Sequence, residues 1–164
     1  MLFKSKSIEM KLSHNIELYI ELFTEIVRMH DEVDYRKHLN SYPGRKGNRR
    51  RYPAVSVGAE YCGSSSIGHH HDYSSPEDFH PTILKALLAR LGKLNDVSKK
   101  NPQCTNKVGH CAENYAASGV LNIIDANGSV DFTDSLSDIL FTIAFHPRTW
   151  KSIDWCDNCH TMFD

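Results

Sequence analysis

The feature that most restricts how this chain can fold is a pair of short motifs, Cys111-Ala112-Glu113 and Cys156-Asp157-Asn158-Cys159, whose residues make chemical sense only if they meet in space. Three thiolates can hold Zn²⁺ and leave its fourth tetrahedral position to water, while a nearby carboxylate that is not a ligand can move protons. On a regular helix, residues two apart point to nearly opposite sides, so Cys111 and Glu113 share a pocket only if Cys111 sits at the helix start. There its side chain can aim across the axis, and the positive end of the helix dipole favours thiolate over thiol. Cys156 and Cys159 are three apart and face one ion from the first turn of a second helix. Two helix starts must therefore converge.

The flanking patterns supply the other layers. The run after Glu113, Asn-Tyr-Ala-Ala-Ser-Gly-Val-Leu-Asn, is short-chained and helix-compatible apart from Gly119, which predicts a buried helix packed on a sheet. Residues 13–35 read as one helix, with Ser13 as N-cap. Leu12, Ile16, Tyr19, Ile20, Phe23, Ile26, Val27 and Val33 form its apolar stripe, expected on the core, and Glu17, Glu21, Glu25, Asp31 and Glu32 its solvated side. Residues 41–48 are a Pro/Gly loop, 54–61 a strand, and 64–67 a second strand closing a hairpin. Residues 68–75 read as irregular, 81–94 as a helix with Pro81 in its first turn, 95–106 as a polar connector, and 139–145 as a buried strand. A turn is expected at Asn127-Gly128. This order of elements predicts an α/β layered domain.

Length and composition suit one domain over 1–164, with an N-terminal helix at 13–35, a basic loop at 36–52 and a core at 53–164. Five cysteines is an odd count, and three of them have metal spacing, which points away from a disulfide scaffold and towards a reducing compartment. No apolar run approaches membrane-spanning length and the first residues do not read as a signal peptide. The expected location is the cytoplasm, or a target cell if other machinery delivers the chain.

Four segments together carry a resemblance: Tyr52-Pro-Ala-Val-Ser-Val-Gly-Ala, His80-Pro-Thr-Ile-Leu, Cys-Ala-Glu at 111–113 and the terminal Cys-Asp-Asn-Cys. On these the chain resembles the cytidine deaminase superfamily, and within it the YwqJ-related deaminases found as toxin domains of bacterial polymorphic toxins and as free-standing proteins. The resemblance covers roughly residues 50–160. It implies a cytidine deaminase-like fold, a small mixed sheet flanked by helices, with zinc between two helix N-termini. It implies Cys111, Cys156 and Cys159 as ligands, Glu113 as the catalytic acid/base, and no organic cofactor. The implied reaction is hydrolytic deamination of cytosine to uracil in nucleic acid, DNA ahead of RNA, with an immunity protein as partner if the chain is a toxin. Two departures stand out: Trp155 occupies the position where the superfamily usually has Pro, and the second zinc helix is expected to be short.

The basic run Arg36, Lys37, Arg45, Lys46, Arg49, Arg50 and Arg51 contains no acid and suits phosphates, with Tyr42 and Tyr52 at its edges able to stack on bases. Read alone, such a run is a solvated loop. Trp155 either stacks on a target base or packs in the core. His80 either borders the pocket or caps the following helix. His69-His70-His71 reads as a solvated loop, since consecutive residues rarely converge on one ion. Two other readings remain. One is a free cytidine deaminase. The other is a zinc-stabilised nucleic-acid-binding module without catalysis, in which Cys104 or a histidine at 110 or 160 closes the site and Glu113 has no role.

Overall fold

The computed structural model describes residues 12–38 and 52–164, so the greater part of the basic run, including Arg49, Arg50 and Arg51, lies outside the described residues. A sheet with helices on both faces organises the rest. The central strand, β1 (Ser56–Tyr61), pairs antiparallel with β2 (Ser64–His69) across a two-residue turn. Cys62 and Gly63 both have positive φ, 49° and 75°, the combination whose twist matches a tight hairpin. On its other edge β1 pairs with β3 (Leu140–Phe141) and β4 (Ala144–Phe145), and β4 with β5 (Ser152–Ile153), all antiparallel.

The sheet is thus antiparallel where a mixed one was expected. Tight hairpins can join only antiparallel neighbours, and the parallel contact is an isolated bridge between Leu12 and Phe141. The expected strand at 139–145 is broken at Thr142. There the Thr142 hydroxyl, in place of a ladder carbonyl, accepts from the Gly58 N–H at 2.9 Å, while the Thr142 N–H donates to Gly58 O at 2.9 Å. Both backbone groups of Gly58 stay satisfied across the break.

α1 (Ile16–His38) covers one face of the sheet. A Cβ on Gly58 would lie 2.8 Å from Leu18, which shows how closely α1 approaches β1. Asn15, not Ser13, caps this helix, because its Oδ1 accepts from Glu17 N and Leu18 N. Ser13 donates instead to Glu60 at 2.6 Å, tying the helix start to β1. The buried stripe matches the expected one in part: Ile26 and Val33 are buried as expected, but Leu18 and Leu22 join them, whereas Ile16 and Ile20 are 74% and 58% exposed. At about 100° per residue the two apolar stripes lie roughly 120° apart, and only tertiary contacts choose between them.

The second face carries α2 (Pro81–Arg90), α3 (Ala112–Ile124) and α4 (Asp157–Phe163). Pro81 opens α2, and the helix stops short of residue 94 because Gly92, at φ 116°, turns the chain back and donates to Leu87 O. α3 lies directly on β2. Gly119, which weakens the helical pattern, is the residue that permits this contact, since a Cβ there would meet Ser66 Oγ at 2.1 Å. Val57, Ala59, Ile83, Leu87, Val120, Leu121 and Phe141 fill the core between sheet and helices. Short 3₁₀ turns at Pro76–Asp78 and Thr133–Asp138 complete the regular structure of the described residues, among which no helix is long and apolar enough to cross a membrane.

Candidate metal centre

Cys111 is the N-cap of α3 and Cys156 the N-cap of α4, both with extended backbone, φ −67° and −82°. An N-cap side chain projects over the start of its own helix, so the two helices aim their cysteines at one point. Cys111 Sγ is 3.4 Å from Cys156 Sγ, which is 3.7 Å from Cys159 Sγ, and all three sulfurs lie within 4.8 Å of one another. This group can hold a metal ion. No disulfide joins them.

The sulfurs and Glu113 line one cavity of about 30 Å³, with His70, Asn106 and Asp154 among its other walls. That volume matches a single water molecule. A pyrimidine ring is larger, so a base can approach the sulfurs only if the rim parts. Asn106 also hydrogen-bonds through its side chain to Cys156. Its loop is fixed in turn, because Asn158 Nδ2 donates to Asn106 O at 2.8 Å and Asn101 Nδ2 donates to Asn158 Oδ1 at 3.0 Å.

Burial dominates the electrostatics. Glu113 is 5% exposed and loss of hydration pushes its carboxyl up to about 6, against weaker opposing hydrogen bonds from its own backbone N–H and from Cys159. A carboxyl in that range can both take and give a proton near neutral pH. Contact with Cys156 pushes the Cys111 thiol well up, and contact with Cys111 does the same to Cys159. Cys156 is held well below the ordinary thiol range by those neighbours, Cys111 first. The three thiols thus oppose one another's ionisation, a conflict that a bound cation would relieve. Burial also lowers His70, favouring its neutral ring.

The sequence-predicted residues separate into those at this centre and those elsewhere. Cys111, Glu113, Cys156 and Cys159 come together. Trp155 does not offer a face to a base: it is 8% exposed, with its ring edge-on to Phe141 at 5.2 Å and tilted on Phe163 at 6.1 Å. His80 is fully buried and caps α2, its Nδ1 accepting from Thr82 N while Nε2 meets Asp125 at 3.3 Å. Capping therefore accounts for it. Tyr52 lines a separate cleft with Arg148 and Lys151. Cys104 interacts with Cys156, yet it is outside the set of three sulfurs in mutual reach. His110 bonds Asn95 Oδ1 and His160 bonds Asp164, so neither is turned to the sulfurs.

His70 and Asn106 were not foreseen. The three consecutive histidines diverge where the chain leaves β2 at His69. His69 bonds Ser56 Oγ at 2.8 Å and His71 lies against Tyr115, which leaves His70 on the cavity side. Recognising β2 as extending through residue 69 would have exposed this pattern. Asn106 lay in the segment read as a polar connector, and nothing local in the sequence marks it.

Comparison of the chain with protein-family models, curated proteins and solved structures gave no match.

Proposed function

We propose that the chain is a zinc-dependent hydrolytic deaminase that converts cytosine to uracil, with nucleic acid as substrate, DNA ahead of RNA. The observation that carries this reading is the placement of a buried carboxyl, Glu113, in the same small cavity as three thiolates rather than four. The donor set fits zinc. Tetrahedral Zn–S bonds of about 2.3 Å put sulfurs about 3.8 Å apart, close to the 3.4 and 3.7 Å found. When bound, such an ion supplies a Lewis acid that brings the pKa of water towards neutrality.

The chain's own residues then have defined tasks. Glu113 holds a carboxylate within the cavity, where it can pass one proton of the attacking water to ring N3 and then the second to the departing amine. Overall, water adds oxygen at C4, the C4–N4 bond breaks, and ammonia leaves. Neutral His70 and Asn106 line the same cavity and offer hydrogen-bonding groups to a base entering its rim.

A second reading has one observation in its favour: Cys104 interacts with Cys156, so a small shift would make it a fourth ligand and close a structural site. The two readings separate in one experiment. Zinc-loaded protein is assayed on single-stranded DNA, duplex DNA, RNA and free cytidine, with Glu113→Ala as the blank and Cys104→Ser alongside. The deaminase reading expects uracil from the parent and from Cys104→Ser, none from Glu113→Ala, and one zinc per chain in all three. Loss of zinc in Cys104→Ser with no uracil from the parent establishes the structural site instead. Turnover of cytidine alone moves the protein to nucleoside chemistry.

A further inference from the structure

The turn between β4 and β5 borders a cleft of about 480 Å³, far larger than the cavity at the sulfurs. Tyr52, Ala54, His146, Arg148, Thr149 and Lys151 line it, and among the described residues no carboxylate is in its walls. Neither Arg148 nor Lys151 forms an ion pair among the described residues. Two exposed cations facing one cleft without a counter-charge leave a site of positive potential.

The turn is held rather than loose. His146 N–H donates to Lys151 O and Trp150 N–H to His146 O, each at 2.8 Å. His146 Nδ1 donates to Ala54 O at 2.5 Å, which ties the turn to the segment before β1 and leaves Nε2 uncommitted to that bond. His30 Nε2 donates to Pro147 O at 2.7 Å, so its Nδ1 is the acceptor for the Tyr52 hydroxyl at 3.2 Å. Trp150 stacks on His30 with rings 10° from parallel and 5.8 Å apart. Trp150 also sits at φ 59°, a conformation a bulky side chain adopts only under constraint from its surroundings. The cations are thus presented on a braced support.

The cleft and the sulfur cavity are joined by the same two stretches of chain. Ala54 lines the first and Val55 the second; Lys151 lines the first and Ile153 the second. The two sites therefore share two short stretches of backbone, residues 54–55 and 151–153.

We infer that this cleft binds the sugar–phosphate backbone of a single-stranded polynucleotide, with Arg148 and Lys151 each engaging a phosphate beside the base presented to the sulfur cavity. The inference rests on the deaminase reading for which base is presented, but the cleft's chemistry stands by itself. A free nucleoside carries no phosphate and has no use for it.

The test is fluorescence anisotropy with zinc-loaded protein and a labelled single-stranded oligothymidylate, which contains no cytosine and cannot be turned over. The parent is compared with the Arg148→Ala/Lys151→Ala protein over a salt series, with Arg148→Lys/Lys151→Arg as the charge-preserving control. Two lost phosphate contacts flatten the slope of log K against log salt by about 1.4, at about 0.7 per phosphate for single strands. Between about 50 and 200 mM salt the parent should therefore lose roughly sevenfold more affinity than the double alanine protein, and the control should follow the parent. An unchanged slope and affinity in the double alanine protein overturns the inference. So does competition by cytidine monophosphate as effective as that by unlabelled oligomer, which makes the cleft a mononucleotide site. Because binding of oligothymidylate needs no chemistry, this outcome is independent of whether uracil is ever formed.

Discussion

Replacing Gly68 with alanine tests whether the packing of α3 on β2 sets the metal centre. A Cβ at residue 68 would lie 2.2 Å from Ala116 N, 2.3 Å from Ala112 O and 2.8 Å from Ala116 Cα. Non-bonded heavy atoms settle at about 3.5 Å or more, so α3 and β2 must part by roughly 1 Å. No rotamer change can relieve the contact, because all three atoms belong to the helix backbone. Overpacking of this kind costs about 1–3 kcal/mol, and the upper end applies where only backbone can move. The displaced first turn carries Glu113 and follows directly from Cys111. Urea unfolding should therefore show a loss of about 3 kcal/mol, and competition against a chromophoric chelator a weaker hold on zinc. Gly119→Ala supplies the contrast. Its Cβ would lie 2.1 Å from Ser66 Oγ, which can swing aside, and 2.8 Å from Ser66 Cβ, which cannot, but alanine gains about 1 kcal/mol of helix propensity, so the net loss should be smaller than for Gly68→Ala. A Gly68→Ala protein within about 0.5 kcal/mol of the parent, with unaltered zinc affinity, would refute the reasoning.

Three other substitutions bear on separate parts of the account. Glu113→Gln should keep zinc, measured by metal analysis, while kcat falls by at least about 10²–10⁴, the range general acid–base groups supply. Asn15→Ala removes the acceptor for two N–H groups at the start of α1 and should cost about 1 kcal/mol in chemical denaturation, whereas Ser13→Ala should leave the cap itself in place. Hydrogen bonds from the Val130 backbone, then Ser129 and His80, hold Asp125 below the usual aspartate range. A depressed folded-state value means stabilisation present above the unfolded pKa of about 3.9 and lost as pH falls through the folded value. Thermal melts of Asp125→Asn should thus lie below the parent at pH 6 and converge with it as the pH is taken down through the depressed folded-state value.

Local chemistry was legible wherever one residue type has one structural consequence. Cys111 at the α3 cap, Pro81 at the first position of α2 and the hairpin joining β1 to β2 all follow from short-range sterics. The buried face of α1 was not legible, because Ile16 and Ile20 are as apolar as Leu18 and Leu22, and only the approach of Gly58 decides which stripe is covered. The cap was misjudged for a similar reason. Ser13 and Asn15 are both capping residues, and Glu60, distant in sequence, claims the Ser13 hydroxyl. β5 is two residues long and carries no periodic signal. Thr142 interrupts an apolar run with a hydroxyl whose role exists only opposite Gly58. In the candidate site the four motif residues were readable from spacing, whereas His70 and Asn106 depend on which way a strand and a loop present them.

The motif residues also differ from the rest of the fold in what they cost. α4 has seven residues, too few to be stable alone in water, and the chain holds it from several sides. Trp155 and Phe163 pack on Phe141, Arg90 Nη1 donates to Met162 O at 2.6 Å, and Asn101 Nδ2 donates to Asp157 O at 3.1 Å. These anchors fix Cys156 and Cys159 against Cys111 without using any of the three sulfurs. In that arrangement the neighbouring sulfurs push the Cys111 and Cys159 thiols up, so the three do not readily ionise together. Packing that served stability only would place aliphatic side chains at such a junction, where no charge has to be managed. A bound cation would relieve that conflict, and Glu113 lies buried in the same cavity as the sulfurs.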